Sequence, residues 1–200
     1  MVLDQYSAII FDMDGTLVDS GQLHEVAWTE TLNRFAIPID RPLMRSLAGV
    51  PTKQTIAMLI ERFDCKVDSP LDEMNHFKEQ VVRDNIHKYV KPTQLAELAK
   101  RYYGVLPMSV GTGAYTDEAE VILELCGLRK LLDYVVGADQ VTKPKPAPDT
   151  FLRCAQLMGQ PAQQCVVFED AKLGIQAAIA AGMDAIDVLT AFQIENEYFL

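Results

Sequence analysis

Five short apolar runs punctuate this 200-residue chain: SAIIF at 7–11, LPMSVG at 106–111, YVVG at 134–137, CVVF at 165–168 and DAIDV at 184–188. Runs this short and this continuously apolar suit strands buried on both faces of a parallel sheet. Helical patterns lie between them. Ala119, Ile122, Leu123 and Cys126 recur at i, i+3, i+4 and i+7, with Gly127 placed to stop the helix. Residues 171–181 (AKLGIQAAIAA) are small and apolar, as in a helix pressed closely onto a sheet, and Gly182 ends them. Strand alternating with helix predicts an α/β fold built on a doubly wound, Rossmann-like parallel sheet.

Residues 21–89 break that rhythm with helical spacing and no convincing strand. Trp28, Leu32 and Phe35 make one stripe; Ile56, Leu59, Ile60 and Phe63 make another behind Pro51; Met74, Phe77 and Val81 make a third within 71–89. The expected organisation is an α/β core from 1–20 and 90–200 with a helical insertion from 21–89. At this length roughly 70% of the chain's surface is buried on folding, so a core forms without disulfides. Cys65, Cys126, Cys154 and Cys165 fall at irregular spacings without a C-x-x-C, which reads as reduced cysteines of the interior and not as a zinc site.

Charge excludes one class of partner. Eighteen Lys+Arg stand against 28 Asp+Glu, a formal net charge of −10, and a duplex-binding face needs clustered basic residues. The opening MVLDQYSAIIFDMDG has no basic leader and its apolar run is broken by Asp12, so neither a signal peptide nor a membrane span is expected. A cytoplasmic protein acting on a small molecule is the expectation, as a monomer or weak dimer with no nucleic-acid or membrane partner.

The chemistry concentrates at the carboxyl ends of the apolar runs, where open α/β sheets bind ligands. Asp12 and Asp14 follow SAIIF two residues apart, so in extended geometry both side chains project to one side. Like charges that close need a proton or a cation between them, and magnesium suits oxygen donors. A solvated turn is the plain alternative. An EF-hand loop fails, because its sixth position would be Leu17 where glycine is needed. Glu169 and Asp170 repeat the pattern after CVVF, directly before a helix that Asp170 could equally cap. Thr112, between Gly111 and Gly113 and ahead of a helix from about Thr116, offers a hydroxyl and backbone N–H groups to an anionic oxygen, or an ordinary turn. Lys143 and Lys145 lie in TKPKPAPDTF, a proline-stiffened loop before a helix from about Asp149.

These pieces match a known pattern in order. FDMDGTLVDS, VGTG, KPKPAPDTF and VVFEDA resemble the four motifs of the haloacid dehalogenase superfamily of phosphohydrolases, in the group holding β-phosphoglucomutase and small sugar-phosphate phosphatases of the fructose-1-phosphatase type. The resemblance spans nearly the whole chain. It implies that Asp12 is the nucleophile that becomes an aspartyl-phosphate, that Asp14 is the general acid and base, and that Thr112 and Lys145 hold the phosphoryl oxygens, with Gly113 beside them. It further implies magnesium held by Asp12, Asp14 through its backbone carbonyl, Asp170 and Glu169. The insertion resembles the superfamily's cap, with His24 and Lys78 matching a histidine and a lysine of that group.

Three departures accompany the match. The mutase's cap arginine, expected after Gly49-Val50, is replaced by Pro51, Thr52 and Lys53; Ser20-Gly21 lacks the glutamate many phosphatases carry; and the doubled KPKP leaves a choice that falls on Lys145, because PAPDTF follows it directly. Thr16 favours hydrolysis, since the hydrolases of the superfamily read DGT where the mutase has valine. The expected activity is a magnesium-dependent phosphatase for a small sugar or sugar-acid phosphate resembling fructose 1-phosphate or 6-phosphogluconate. The alternatives are β-phosphoglucomutase, with Lys53 and Lys78 standing in for the arginine, and a non-catalytic phosphate- or partner-binding module. A dehalogenase fits less well, because Asp14 and the acidic fourth motif serve metal-dependent phosphoryl transfer.

Overall fold

The computed structural model describes residues 3–194 and 198–199 and divides the chain into two compact units. One comprises 1–19 and 91–196; the other comprises 20–90 and 197–200.

The first unit is built on five strands, β1 (Ala8–Phe11), β4 (Met108–Gly111), β5 (Tyr134–Val136), β6 (Cys165–Glu169) and β7 (Asp184–Asp187). They form one parallel sheet ordered β5-β4-β1-β6-β7. Every residue of β1, β4 and β6 is buried, which is why these three read as unbroken apolar runs. The strand order reverses about β1, and the register there decides the chemistry. Phe11 pairs with Phe168, and the Asp12 N–H donates to the Phe168 carbonyl at 2.9 Å. Asp12 and Glu169 are thereby set side by side, one residue beyond their paired phenylalanines.

Helices α5 (Leu95–Tyr102), α6 (Thr116–Leu125), α7 (Asp149–Met158) and α8 (Lys172–Ala180) join these strands. Ala177, Ala178 and Ala181 share a core with Phe151, Cys154, Ile10, Val136, Cys165 and Val167. Alanine at the facing positions lets α8 approach closely, and burial of a side chain like Phe151 contributes about 2–3 kcal/mol. As expected, α6 stops at Gly127, whose φ of 67° requires glycine's freedom. All four cysteines are free; Cys154 and Cys165 are buried, while Cys65 and Cys126 are only half-buried, so two of the four lie outside the expected interior.

Two of the boundaries that differ from the sequence expectation have a local cause. Strand β4 starts at Met108 because Pro107 lacks an N–H for the ladder, although its carbonyl still accepts from Ile9 at 3.1 Å. Val188, expected in the last strand, instead begins α9 (Val188–Phe192), because the Asp187 side chain caps the N–H groups of Leu189 and Thr190. A short antiparallel pair, β2 (Val18–Asp19) with β3 (Lys91–Pro92), marks where the chain leaves and re-enters this unit. An ion pair of 3.0 Å between Lys91 and Asp19 lies on it.

The second unit is helical: α1 (Gly21–Arg34), α2 (Arg41–Ser46), α3 (Thr52–Phe63) and α4 (Leu71–Tyr89). Helix α2 escaped the periodicity reading; it is defined by its cap, Asp40 accepting from the Leu43 N–H at 3.0 Å with Pro42 in the first turn. The stripes meet in one core of Trp28, Leu32, Met44, Ile56, Leu59 and Met74. Tyr198 and Phe199 complete that core. The Phe199 N–H donates to Glu25 at 2.8 Å, Arg41 bridges to Glu25 at 2.9 Å, and the Arg41 guanidinium lies 5.5 Å from the Phe199 ring centre. Replacing Phe199 by Ala is expected to cost about 3 kcal/mol through the cavity left behind. Trp28, the one tryptophan, sits in the same core, so urea unfolding followed by its fluorescence reads this unit directly. An unchanged midpoint would show that the docked residues contribute nothing.

Candidate active site

The turn after β1 is shaped by Gly15, whose φ of 80° reverses the chain so that its N–H reaches the Val18 carbonyl at 2.8 Å. Asp12 and Asp14 lie on the near side of that turn. Asp12 is buried and Asp14 half-buried, so the pair is not a solvated turn. Thr16 is wholly buried and its hydroxyl donates to Asp170 at 3.2 Å, while its carbonyl accepts from the Thr93 hydroxyl at 2.6 Å. The first acidic loop thus holds the second.

Lys145 occupies the centre. Its ammonium donates to Asp12 Oδ1 at 2.6 Å and to Glu169 Oε2 at 2.8 Å, and lies 4.6 Å from the centre of the Phe151 ring. Lys143 is exposed, with its backbone N–H on Asp149 at 3.3 Å. Between the two lysines of KPKP, the loop therefore carries Lys145 to the acids. Glu169 is tied at both oxygens, since Oε1 accepts the Ala171 N–H at 3.0 Å. The residue at the N-cap of α8 is Ala171, and Asp170 accepts from the Thr16 hydroxyl. Thr112 is buried beyond β4, with its N–H on the Val136 carbonyl at 3.0 Å and its hydroxyl accepting from the Ala114 N–H at 3.1 Å. Gly113 beside it is exposed.

Burial first, and then the charge of Glu169, push the Asp12 carboxyl up to about 7, against the opposing pull of Lys145. Burial likewise raises Glu169, with Lys145 opposing and Asp170 adding to the rise. Burial alone would lower Lys145, but Asp12 and Glu169 overcome it and hold the ammonium above its ordinary value. One lysine among these carboxylates leaves an excess of negative charge that favours a further cation. Asp12, Glu169 and Asp170 each offer an oxygen, all within 4.8 Å of one another. That all-oxygen donor set suits magnesium. The Asp14 side chain is not in this set.

His24, Lys53 and Lys78 belong to the helical unit. His24 is half-buried in the first turn of α1. Lys78 is buried on α4, its ammonium 5.0 Å from the centre of a Trp28 ring. Lys53 is exposed and paired with Asp72. Sequence reasoning missed Phe151 beneath Lys145 and Thr93 behind Thr16; PDTF placed Phe151 on the right helix, but no local signal links Thr93 to a loop 77 residues away.

A parallel α/β sheet with carboxylates and a lysine converging beyond adjacent strand ends is suited to phosphoryl chemistry assisted by a divalent cation. The family model for haloacid dehalogenase-like hydrolases matches residues 9–188, and the chain belongs to that family. It is similar to the fructose-1-phosphate phosphatase YqaB of Escherichia coli, at 45% identity over 92% of this chain and 97% of that protein. The β-phosphoglucomutase of Bacillus subtilis is 25% identical over 90% of this chain and 82% of its own length. The crystal structure of a β-phosphoglucomutase from Clostridium difficile shares the fold, with a TM-score of 0.78, 23% identity and coverage of 90% of this chain and 83% of that one. The acidic cluster is consistent with the magnesium site of such hydrolases. Among the described residues, no helix is long and apolar enough to cross a membrane.

Proposed function

We propose that the protein is a magnesium-dependent phosphatase that hydrolyses a small sugar phosphate of the fructose 1-phosphate kind through phospho-Asp12. The observation that carries this reading is Asp12 at the end of β1, held at 2.6 Å by Lys145 within the cluster of Glu169 and Asp170. Asp12 Oδ would attack phosphorus, forming the Oδ–P bond as the ester P–O bond breaks, while Asp14 gives its proton to the departing alcohol. Asp14, now a carboxylate, would take a proton from water as that water attacks phospho-Asp12, releasing phosphate and restoring Asp12. Lys145 and the Thr112 hydroxyl, whose proton is left to donate, are suited to the phosphoryl oxygens, on which charge accumulates. Asp12, Asp170 and Glu169 would hold magnesium, which offsets the charge between carboxylate and phosphate when bound.

Hydrolysis is favoured over transfer to a second sugar. A mutase must hold the non-reacting phosphate in both orientations of its substrate, a task for a bidentate arginine. Lys53 stands where that arginine would, and it is paired with Asp72. The resemblance to the fructose-1-phosphate phosphatase at 45% identity, against 25% for the mutase, supports the same choice.

The test is a panel of fructose 1-phosphate, 6-phosphogluconate and β-glucose 1-phosphate with a bisphosphate primer, scored for inorganic phosphate and for glucose 6-phosphate, with magnesium and with chelator. Phosphate release from fructose 1-phosphate that stops with chelator is expected. Glucose 6-phosphate forming faster than phosphate is released would make the protein a mutase, and full turnover in chelator would overturn the metal assignment.

A further inference from the structure

Gly174 is the third residue of α8. It does not have the left-handed backbone that calls for glycine, and alanine would be favoured in a helix by about 1 kcal/mol. Local propensity therefore gives no reason for glycine here. The surroundings do. A Cβ added at Gly174 would lie 1.9 Å from Glu169 Oε2, 2.0 Å from its Cδ and 2.6 Å from its Cγ, far inside contact distance. The Glu169 side chain cannot swing aside without losing something, because Oε1 is held by the Ala171 N–H and Oε2 by Lys145, and only 2% of it is exposed.

From this we infer that Gly174 is a positioning residue: its missing side chain lets the Glu169 carboxylate cross the first turn of α8 and reach Lys145, which in turn is held on Asp12. The chain of contacts is short. Gly174 leaves the space, Glu169 fills it, and Lys145 is fixed between Glu169 Oε2 at 2.8 Å and Asp12 Oδ1 at 2.6 Å. With a methyl group at 174, Glu169 must give way, Lys145 loses one of its two anchors, and the ammonium drifts from the place where phosphoryl charge develops. Misplacement of about 1 Å costs on the order of 10²-fold in rate. This inference rests on the assignment of Lys145 and Asp12 to the reaction.

The experiment is a double-mutant cycle on Gly174→Ala and Glu169→Ala, with Lys145→Met run beside it, reading kcat, KM and thermal midpoint. Gly174→Ala alone is expected to lower kcat about 10²-fold and to lower the midpoint in spite of its better helix propensity. In the Glu169→Ala background, where the clash has no partner, Gly174→Ala should leave kcat unchanged and raise the midpoint. A merely structural glycine would lower kcat by the same factor in both backgrounds, and that result overturns the inference, as does wild-type kcat in Gly174→Ala. If Gly174→Ala fails to fold, recovery of folding in the double variant supports the clash, and continued failure refutes it. Wild-type activity in Lys145→Met would instead refute the site assignment, so the two failures are distinguishable.

Discussion

Replacing Asp12 by Asn is expected to lower turnover of any accepted phosphate ester by about 10⁴-fold or more, the scale seen when a covalent nucleophile is removed. The amide has the same shape, and its oxygen can still accept from Lys145, so the loss is of nucleophilicity and not of packing. Asp12 is also a group that the site holds at a cost. Its carboxyl is pushed up to about 7 by burial and by the charge of Glu169, so the folded state keeps a proton there that the unfolded chain has already released. For an acid raised in this way, the folded state binds more protons between the ordinary carboxylate value and about 7, and stability falls as pH rises through that window. The neutral amide removes that liability. Asp12→Asn should therefore melt no lower than the wild type at pH about 8, where the wild-type penalty is complete, while being inactive. A folded Asp12→Asn protein with wild-type turnover would place the nucleophile elsewhere.

What the sequence revealed and what it concealed divide along a physical line. The sheet was legible because strands buried on both faces cannot alternate polar and apolar residues, and β1, β4 and β6 are buried throughout. The acidic pairs were legible because each follows such a run directly. Their convergence was not, since nothing local states that Phe11 pairs with Phe168; that register sets Asp12 beside Glu169 and Asp170 in one cluster. The KPKP choice was legible only through its neighbours. Lys143 and Lys145 are alike in composition and two residues apart, and what separates them is tertiary: the Lys145 ammonium lies between Asp12, Glu169 and the Phe151 ring.

Short helices were lost for a related reason. Helix α2, of six residues, gains its definition from Asp40 and not from a stripe. Helix α5, of eight residues, buries Leu95, Ala96, Ala99 and Tyr102, a stripe too brief to stand out in a window that also holds β3. The destination of Tyr198 and Phe199 was beyond any local rule, because apolar residues near a terminus fit any exposed core, and here it is the helical unit that accepts them. Gly174 reads as a weak point in α8 until Glu169 is seen lying where its side chain would be.

Lys145→Met should show how far the whole arrangement depends on one charge. Methionine keeps the length and apolar stem of lysine, so packing on Phe151 survives while both ionic contacts vanish. Loss of a preorganised cation from the place where phosphoryl charge develops is expected to lower kcat by about 10²–10³-fold. The stability effect is separate and carries its own signature. Asp12 and Glu169 already stand above their ordinary carboxylate values with Lys145 beside them, and Lys145 is the cause that pulls both down. Its removal raises both further, widening the pH interval over which the folded state holds protons that the unfolded chain has released. Breaking a buried ion pair from one side costs about 3–5 kcal/mol when the remaining charges stay ionised, but near pH 5 the two carboxyls escape most of that cost by taking up protons. The deficit of Lys145→Met against the wild type should therefore be small at pH about 5 and grow steadily toward pH about 9, measured by urea unfolding in metal-free buffer. A deficit that does not change with pH would mean that Asp12 and Glu169 do not depend on Lys145 for their charge, and the electrostatic account of the site would fail with it.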